Sequence, residues 1–400
     1  MTDWQEVKLG DVCLFIDYRG KTPHKTTSGI PLITAKIVKN GRINEATEFI
    51  SHEEYKARMT RGLPNIGDIL ITTEAPMGEV AELKNDKVAI GQRIITLRPQ
   101  KNILNNRYLK YFLQSNIGQN QLRARESGTT VTGIKSTELK QISIYLPPLE
   151  VQKKIARVLG ALDDKIELNN KINQNLEAQA QALFKSWFVD FEHFGGKMPD
   201  DWKIKTIGDV CASISETYNR KDENVVLINT SDVLNGEILT HSLVKNENLK
   251  GQFKKTFQKN DILYSEIRPI NKRFAFVDIE NTYNYIASTK LMVIRPDTSK
   301  ISPLILYRIL KSQDLIDELQ HLAETRSGTF PQITFASELA IQKIVLAPLN
   351  EQKIISNVLE VLENKIRKNI QENLRLAELR DTLLPKLMSG EINVDDVKID

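Results

Sequence analysis

Two stretches of the chain place apolar side chains at alternating steps of four and three residues. The first runs Ile155, Leu159, Leu162, Ile166, Asn169, Asn173, Leu176, Ala180, Leu183. The second runs Ile355, Leu359, Leu362, Ile366, Asn369, Asn373, Leu376, Arg380, Leu383. This heptad-like spacing predicts two long helices, each with one seam for a partner helix. Pro148 and Pro348 end the strands before them and set the helix starts, and Glu150 and Glu351 fall in or near the first turn, where the helix dipole favours acid. Each helix of about 35 to 40 residues spans roughly 55 Å, a spacer rather than a site of chemistry. The paired asparagines near the middle of each seam fix register, because a buried Asn needs a polar partner. They align in parallel and in antiparallel pairing alike, and Asn173 and Asn373 either join the seam or face water.

The helices are the clearest part of a longer repeat. "WQEVKLGDVC" from Trp4 returns as "WKIKTIGDVC" from Trp202, "GDIL" at Gly67 as "NDIL" at Asn260, and "LRP" at Leu97 as "IRP" at Ile294. The helix copies follow at an offset of 200, "LPPLEVQKK" from Leu146 against "LAPLNEQKI" from Leu346. A unit of half the chain excludes a short-period solenoid. Between the helices, short β-rich runs such as "GDILITT", "VAIGQRIITLRP", "QISIYLP", "FAFVDI" and "KLMVIRP" are separated by Gly, Pro and Asn turns. "NNRYLKYFLQSNIGQNQLRA" and "SPLILYRILKSQDLIDELQHLA" read as helical pieces at the same place in each repeat. The predicted fold class is α/β: two similar mixed domains separated by a long coiled coil of two helices, a pseudo-twofold tandem repeat. The segments are a first domain at 1–147, a helix at 148–188, a linker at 189–201, a second domain at 202–346, a helix at 347–388 and a tail at 389–400.

Composition narrows the partners only slightly. The 400 residues carry 55 Lys plus Arg against 51 Asp plus Glu, a net charge of +4, which permits a local basic face for nucleic acid without demanding one. No apolar run is long enough for a membrane span, and the N-terminus shows no export or transit pattern. Two cysteines, Cys13 and Cys211, make no disulfide framework and are expected as buried thiols in a cytoplasmic protein.

A search for catalytic chemistry fails. "GTTVTGIKS" from Gly128 misplaces Ile134 for a phosphate loop, and the second repeat, "GTFPQITFA", loses the second glycine. "LPPLE" and "APLNE" are helix starts rather than a methyltransferase loop. Asp68 with "ELK" at Glu82 has passable nuclease spacing, but Asp261 has no matching triplet. The five histidines show no metal-ligand spacing. The chain reads as non-catalytic, with no cofactor or metal of its own.

Loops rich in Arg, Lys, Thr, Asn and Gly remain, at matching places beside strand ends. In the first half they carry Arg19, Lys21 and Lys25, then Thr73, then Gln92 and Arg93, then Arg125 and Thr129. In the second they carry Tyr218, Arg220 and Lys221, then Arg268, Lys272 and Arg273, then Lys290, then Arg326 and Thr329. Arg and Lys suit phosphates or guanine edges, and Gln and Thr suit adenine and thymine, so these are the candidate DNA-binding residues.

The helix copies, with the segments "LFKSWFVDF" and "LLPKLMSGEI" and the "W…GDV" opening of each half, resemble the specificity subunits of type I restriction–modification systems over essentially the whole chain. That resemblance implies an antiparallel helix pair and two target recognition domains, each reading half of a bipartite, asymmetric site in double-stranded DNA. It implies two modification (methyltransferase) subunits docked on the scaffold, with S-adenosylmethionine bound in their own chains. It also implies restriction subunits that use ATP and magnesium. Recognition domains vary within the family, so it carries over no base-contact residue. Two alternatives stand beside it: a stand-alone DNA-modifying enzyme, and a coiled-coil scaffold without DNA specificity.

Overall fold

The apolar runs behave as strands buried on both faces. In the computed structural model, which describes residues 4–20, 22–128, 132–246 and 251–397, all five residues of the strand Ile69–Thr73 are buried. Their side chains divide by parity: Ile69 and Ile71 join one core with Ile95 and Leu97, while Leu70 joins another with Ala81 and Ile94. The second repeat divides the same way. Ile262, Tyr264, Met292 and Ile294 face one core, and Leu263, Ala275, Leu291 and Val293 the other. Period-two alternation with both faces covered is why these runs read as continuously apolar.

The chain forms two units, Met1–Lys171 with Asn369–Asp400, and Ile172–Lys368. Each contains one mixed domain and half of each long helix. In the first unit a four-stranded antiparallel sheet has the order Cys13–Asp17, Ile94–Pro99, Ile69–Thr73, Met77–Glu82. Gln5–Lys8 pairs separately with Ser143–Leu146, the strand that feeds the helix Leu149–Phe188. In the second unit the order is Cys211–Ile214, Leu291–Pro296, Ile262–Ser265, Phe274–Phe276. There Lys203–Thr206 pairs with Lys343–Leu346 ahead of the helix Leu349–Ser389. Each unit adds a smaller sheet with one parallel pair, Ile30–Ile33 beside Ala89–Ile90 and Asn224–Ile228 beside Tyr285–Ser288. "VAIGQRIITLRP" is therefore two strands, Ala89–Ile90 and Ile94–Pro99, on different sheets.

Each helical piece expected before the long helix is two helices. Asn106–Gln114 and Asn116–Arg123 break at Ser115, whose hydroxyl donates to the Phe112 carbonyl and accepts from the Gly118 N–H. Pro303–Leu310 and Gln313–Arg326 break beside Ser312, whose hydroxyl donates to the Ile309 carbonyl. Serine competing for backbone bonds overrides the apolar periodicity at both places.

Buried polar contacts repeat between the units. Arg98 grips both oxygens of Asp68 at 2.8 Å, and Arg295 grips both of Asp261 at 2.9 and 2.8 Å. These aspartates also accept the backbone N–H of Asn65 and of Gln258. Asp68 is thus a brace, and Glu82, its partner in the nuclease-like spacing, is bound to Arg107. One buried amide pins the start of each long helix. Gln152 accepts the Asn105 N–H at 2.9 Å and donates to the carbonyls of Ile103 and Pro147. Gln352 accepts the Ser302 N–H at 2.8 Å and donates to the carbonyls of Lys300 and Ala347. Both glutamines are buried. Removing one strands three buried backbone groups, each costing about 1–3 kcal/mol when left without a partner.

The helices pair antiparallel within each unit. In the first, Asp163 meets Arg380, Lys165 meets Glu372, and Asn169 donates to Glu372 and Asn373. In the second, Asn173 lies 3.5 Å from the Ile366 carbonyl. Asn373 donates to Asn170, so Asn173 and Asn373 turn into the seam rather than to water. Ile155, Leu159, Leu162, Ile166 and Asn169 are buried, as are Ile355, Leu359, Ile366 and Asn369, while Leu176, Leu362 and Leu376 are half-buried. Ile155 and Leu159 also belong to the first domain's core, and Ile355 and Leu359 to the second's. In each unit the seam is shared with the domain core.

Asp163 takes three partners: Lys110 Nζ and Tyr111 Oη at 2.7 Å, and the Arg380 guanidinium at 2.9 Å. Burial opposes its charge, but Lys110, Arg380 and Tyr111 outweigh burial and hold the carboxyl at about 2. An aspartate held below its ordinary value of about 3.9 contributes stability that is complete above that value and lost as pH falls through the folded one. We expect Asp163→Asn to cost about 2 kcal/mol at pH 7. Thermal unfolding between pH 7 and pH 2.5 should show the difference between variant and parent shrinking below about pH 4.

Candidate nucleic-acid interface

The first unit gathers its four candidate loops at the ends of its central strands. Thr73 supplies the backbone for this: its N–H donates to the Arg93 carbonyl, and its own carbonyl accepts the Ile134 N–H. Arg93 pairs with Glu74 at 3.1 Å, and Gln92 accepts from the Thr22 hydroxyl at 3.3 Å. Glu74 bridges to Gly133, which bridges to Ser127. The loops around Arg19, Thr73, Gln92 and Ser127 therefore meet on one side. Arg125 sits at the base of the last, donating to the carbonyls of Gln121 and Gln141. Lys25 stands on the adjoining segment, paired with Glu48.

The second unit repeats the arrangement with different side chains. Lys290 pairs with Glu266 as Arg93 does with Glu74, at 3.4 Å, and the Glu266 N–H donates to the Lys290 carbonyl. Ile267 bridges to Gln332, and the Arg268 N–H donates to the Pro331 carbonyl, which joins the 266–273 loop to the 327–332 loop. Where the first unit has Ala75–Pro76, the second has the turn Pro269–Asn271, flanked by Arg268 at φ 44° and Lys272 at φ 52°. Left-handed backbone at two non-glycine residues stores strain in this turn.

Two candidates are buried and do not present side chains. Thr73 is 3% exposed and acts through its backbone. Tyr218 is 8% exposed and donates to Asp222, and burial, then the Asp222 carboxylate, push its hydroxyl up to about 12. Each lies on or beside a strand whose inner face the apolar core claims. Lys21 and Thr129 lie outside the described residues.

Several cations are already engaged. Arg19 is held by Asp17 through its Nε and terminal amine, and Arg326 by Glu338. Arg273 donates to the carbonyls of Ser231 and Val233, a structural brace. Arg220 lies 3.7 Å from the centroid of the exposed Tyr283 ring and donates to its carbonyl. Among the described residues, Lys221, Arg268, Lys272 and Thr329 make no side-chain ion pair or hydrogen bond. The free positive charge of the second unit's loops thus centres on Arg268 and Lys272, with Lys221 beside Arg220. Sequence reasoning missed Arg61, which donates to the carbonyls of Asp17 and Arg19, and Tyr283, the platform under Arg220. Neither carries a local pattern that marks it.

Both cysteines are free and buried, and burial pushes both thiols up to about 12. Among the described residues there is no group of three or more His, Cys, Asp or Glu placed to hold a metal, and no helix long and apolar enough to cross a membrane.

One family model, the type I restriction modification DNA specificity domain, matches the chain twice, at residues 1–178 and 199–376. The chain is similar to the HindI specificity subunit of Haemophilus influenzae, 41% identical over 184 residues, which make up 46% of this chain and 40% of that subunit. It is also similar to the MjaIX specificity subunit of Methanocaldococcus jannaschii, 27% identical over 421 residues that cover 99% of this chain and 95% of the relative. Among solved structures, the S subunit of a type I restriction–modification system from M. genitalium shares the fold, with a TM-score of 0.62 over 96% of each chain at 17% identity. With a specificity domain matched in each repeat, and the same sheet order and glutamine-pinned helix in both units, the chain belongs to the type I restriction modification DNA specificity family.

Proposed function

We propose that each domain reads one half of an asymmetric, bipartite site in double-stranded DNA through the loops at its strand ends. The observation that carries this is the pairing of a shared frame with unshared side chains. Glu74–Arg93 and Glu266–Lys290 occupy the same place in the two units, yet the loops beside them differ in charge and in backbone conformation. Two readers on one frame suit two unlike half-sites. The antiparallel helices set the spacer between the half-sites and dock two modification subunits, which methylate adenine with S-adenosylmethionine of their own. Restriction subunits, using ATP and magnesium, join that assembly. This chain supplies recognition and geometry, with no catalytic group.

Replacing residues 1–147 by the matching domain of another family member should change one half of the methylated sequence and leave the other intact. Mapping methylated adenines in a host genome checks it, and a change in both halves would overturn the reading. Inserting one heptad into both long helices should alter the spacer between half-sites in the same map, and an unchanged spacer would remove the helices' role as a ruler. Arg268→Ala with Lys272→Ala should weaken binding of the assembled methyltransferase to its site and lower the salt slope by about one unit for each phosphate left unneutralised. Tyr218→Phe, which keeps the buried ring, should leave that slope unchanged in the same titration.

A further inference from the structure

Two large apolar side chains stand exposed on the strand-end loops of the second unit. Ile270 is 46% exposed and Phe330 is 48% exposed. Their loops are joined through the backbone: the Arg268 N–H donates to the Pro331 carbonyl at 3.1 Å, and Ile267 bridges to Gln332. Ile270 sits at the centre of the turn Pro269–Asn271, between Arg268 and Lys272. That turn is closed by the Asn271 N–H to the Arg268 carbonyl and the Lys272 N–H to the Pro269 carbonyl, both at 2.9 Å. The Ile270 N–H itself donates to the Gln320 side chain at 3.2 Å. Phe330 gives its N–H to the Ser327 hydroxyl at 3.2 Å, and its neighbour Pro331 is buried. Both apolar side chains thus ride on fixed backbone. Among the described residues, the strand-end loops of the first unit expose no large apolar side chain. Its turn carries Ala75 and Pro76, and its sequence has Thr130 where the second repeat has Phe330.

A single exposed Ile or Phe is ordinary on a protein surface. Here two lie on hydrogen-bonded loops beside Arg268 and Lys272, whose side chains have no ion pair or hydrogen bond among the described residues. Apolar contact and positive charge are offered together. Duplex DNA has the matching chemistry: phosphates along each strand, and one apolar group at the base edges, the 5-methyl of thymine in the major groove. We infer that Ile270 and Phe330 read thymine methyl groups in the half-site of the second domain, while Arg268 and Lys272 take phosphates. The inference rests on the reading that this domain binds DNA through its strand-end loops, and it adds the chemical group recognised there. The cations fix position without regard to sequence. The apolar pair supplies discrimination, because a base pair without a methyl at the contacted place leaves the side chains facing polar base edges. Covering one methyl group is worth about fourfold in affinity.

Fluorescence anisotropy of the assembled methyltransferase, this chain with its modification subunits, on duplexes of its mapped site tests the inference. Replacing thymidine by deoxyuridine in the half read by the second domain removes only methyl groups. It should weaken binding about fourfold for each methyl contacted. Ile270→Ser with Phe330→Ser should weaken binding to the natural duplex and lose that preference for thymidine. The response of this variant to deoxyuridine in the other half should match the parent's. Both side chains are exposed, so the exchange should leave thermal melting unchanged. Equal binding of thymidine and deoxyuridine duplexes by the parent would overturn the inference and leave sequence-specific binding by the strand-end loops standing. Binding indifferent to every base of that half would remove both. A variant that binds more weakly yet keeps the parent's preference for thymidine would make the pair a wedge between base steps. A variant that no longer joins the modification subunits would make it a protein contact. Either result overturns the inference.

Discussion

The start of each long helix is pinned to its domain by one buried primary amide, which fixes where the rest of the helix can pack. Gln152 and Gln352 each close three bonds to backbone groups that no strand or helix satisfies, on the turn before the helix and on the loop ahead of the domain's own helices. A primary amide offers donors and an acceptor in one plane, so it fixes direction as well as contact. With the helix start pinned, the face carrying Ile155 and Leu159, or Ile355 and Leu359, must enter the domain core. The same helix continues past the domain and pairs with the other helix. Domain orientation and helix register are therefore set together.

The polar interior divides into contacts the repeats share and contacts they do not. The glutamine amides and the Asp68–Arg98 and Asp261–Arg295 braces are shared, and they preserve the frame. The junction charges around Asp163 and Glu363 differ, as do the strand-end loops. A buried ion pair adds little net stability over an apolar equivalent, but removing one partner costs a great deal because it leaves the other charge buried and uncompensated.

The loops show how local patterns mislead. Thr73 and Tyr218 lie among polar neighbours at strand ends, where contact residues are expected, yet the core claims both side chains. Arg19, Arg273 and Arg326 read as free cations along the chain, and Asp17, the Ser231 carbonyl and Glu338 take them. Arg268 and Lys272 stand apart because they flank a proline turn with positive φ on both sides, a conformation their residue types do not announce.

Periodicity and self-similarity were enough, from the chain alone, to establish two repeats and two long helices. These properties depend on spacing along one dimension, and apolar seams repeat whatever surrounds them. The direction of helix pairing was beyond them, since asparagines at the centre of a seam align either way, and only contacts such as Asp163 with Arg380 and Asn169 with Glu372 decide it. The same holds for Lys110 and Arg308. Each is one basic residue among 55, and its meaning comes from burial against an acid more than fifty residues away. Charge partners distant in sequence leave no local trace, so the tertiary structure alone determines which charges are spent on the fold and which remain for a ligand.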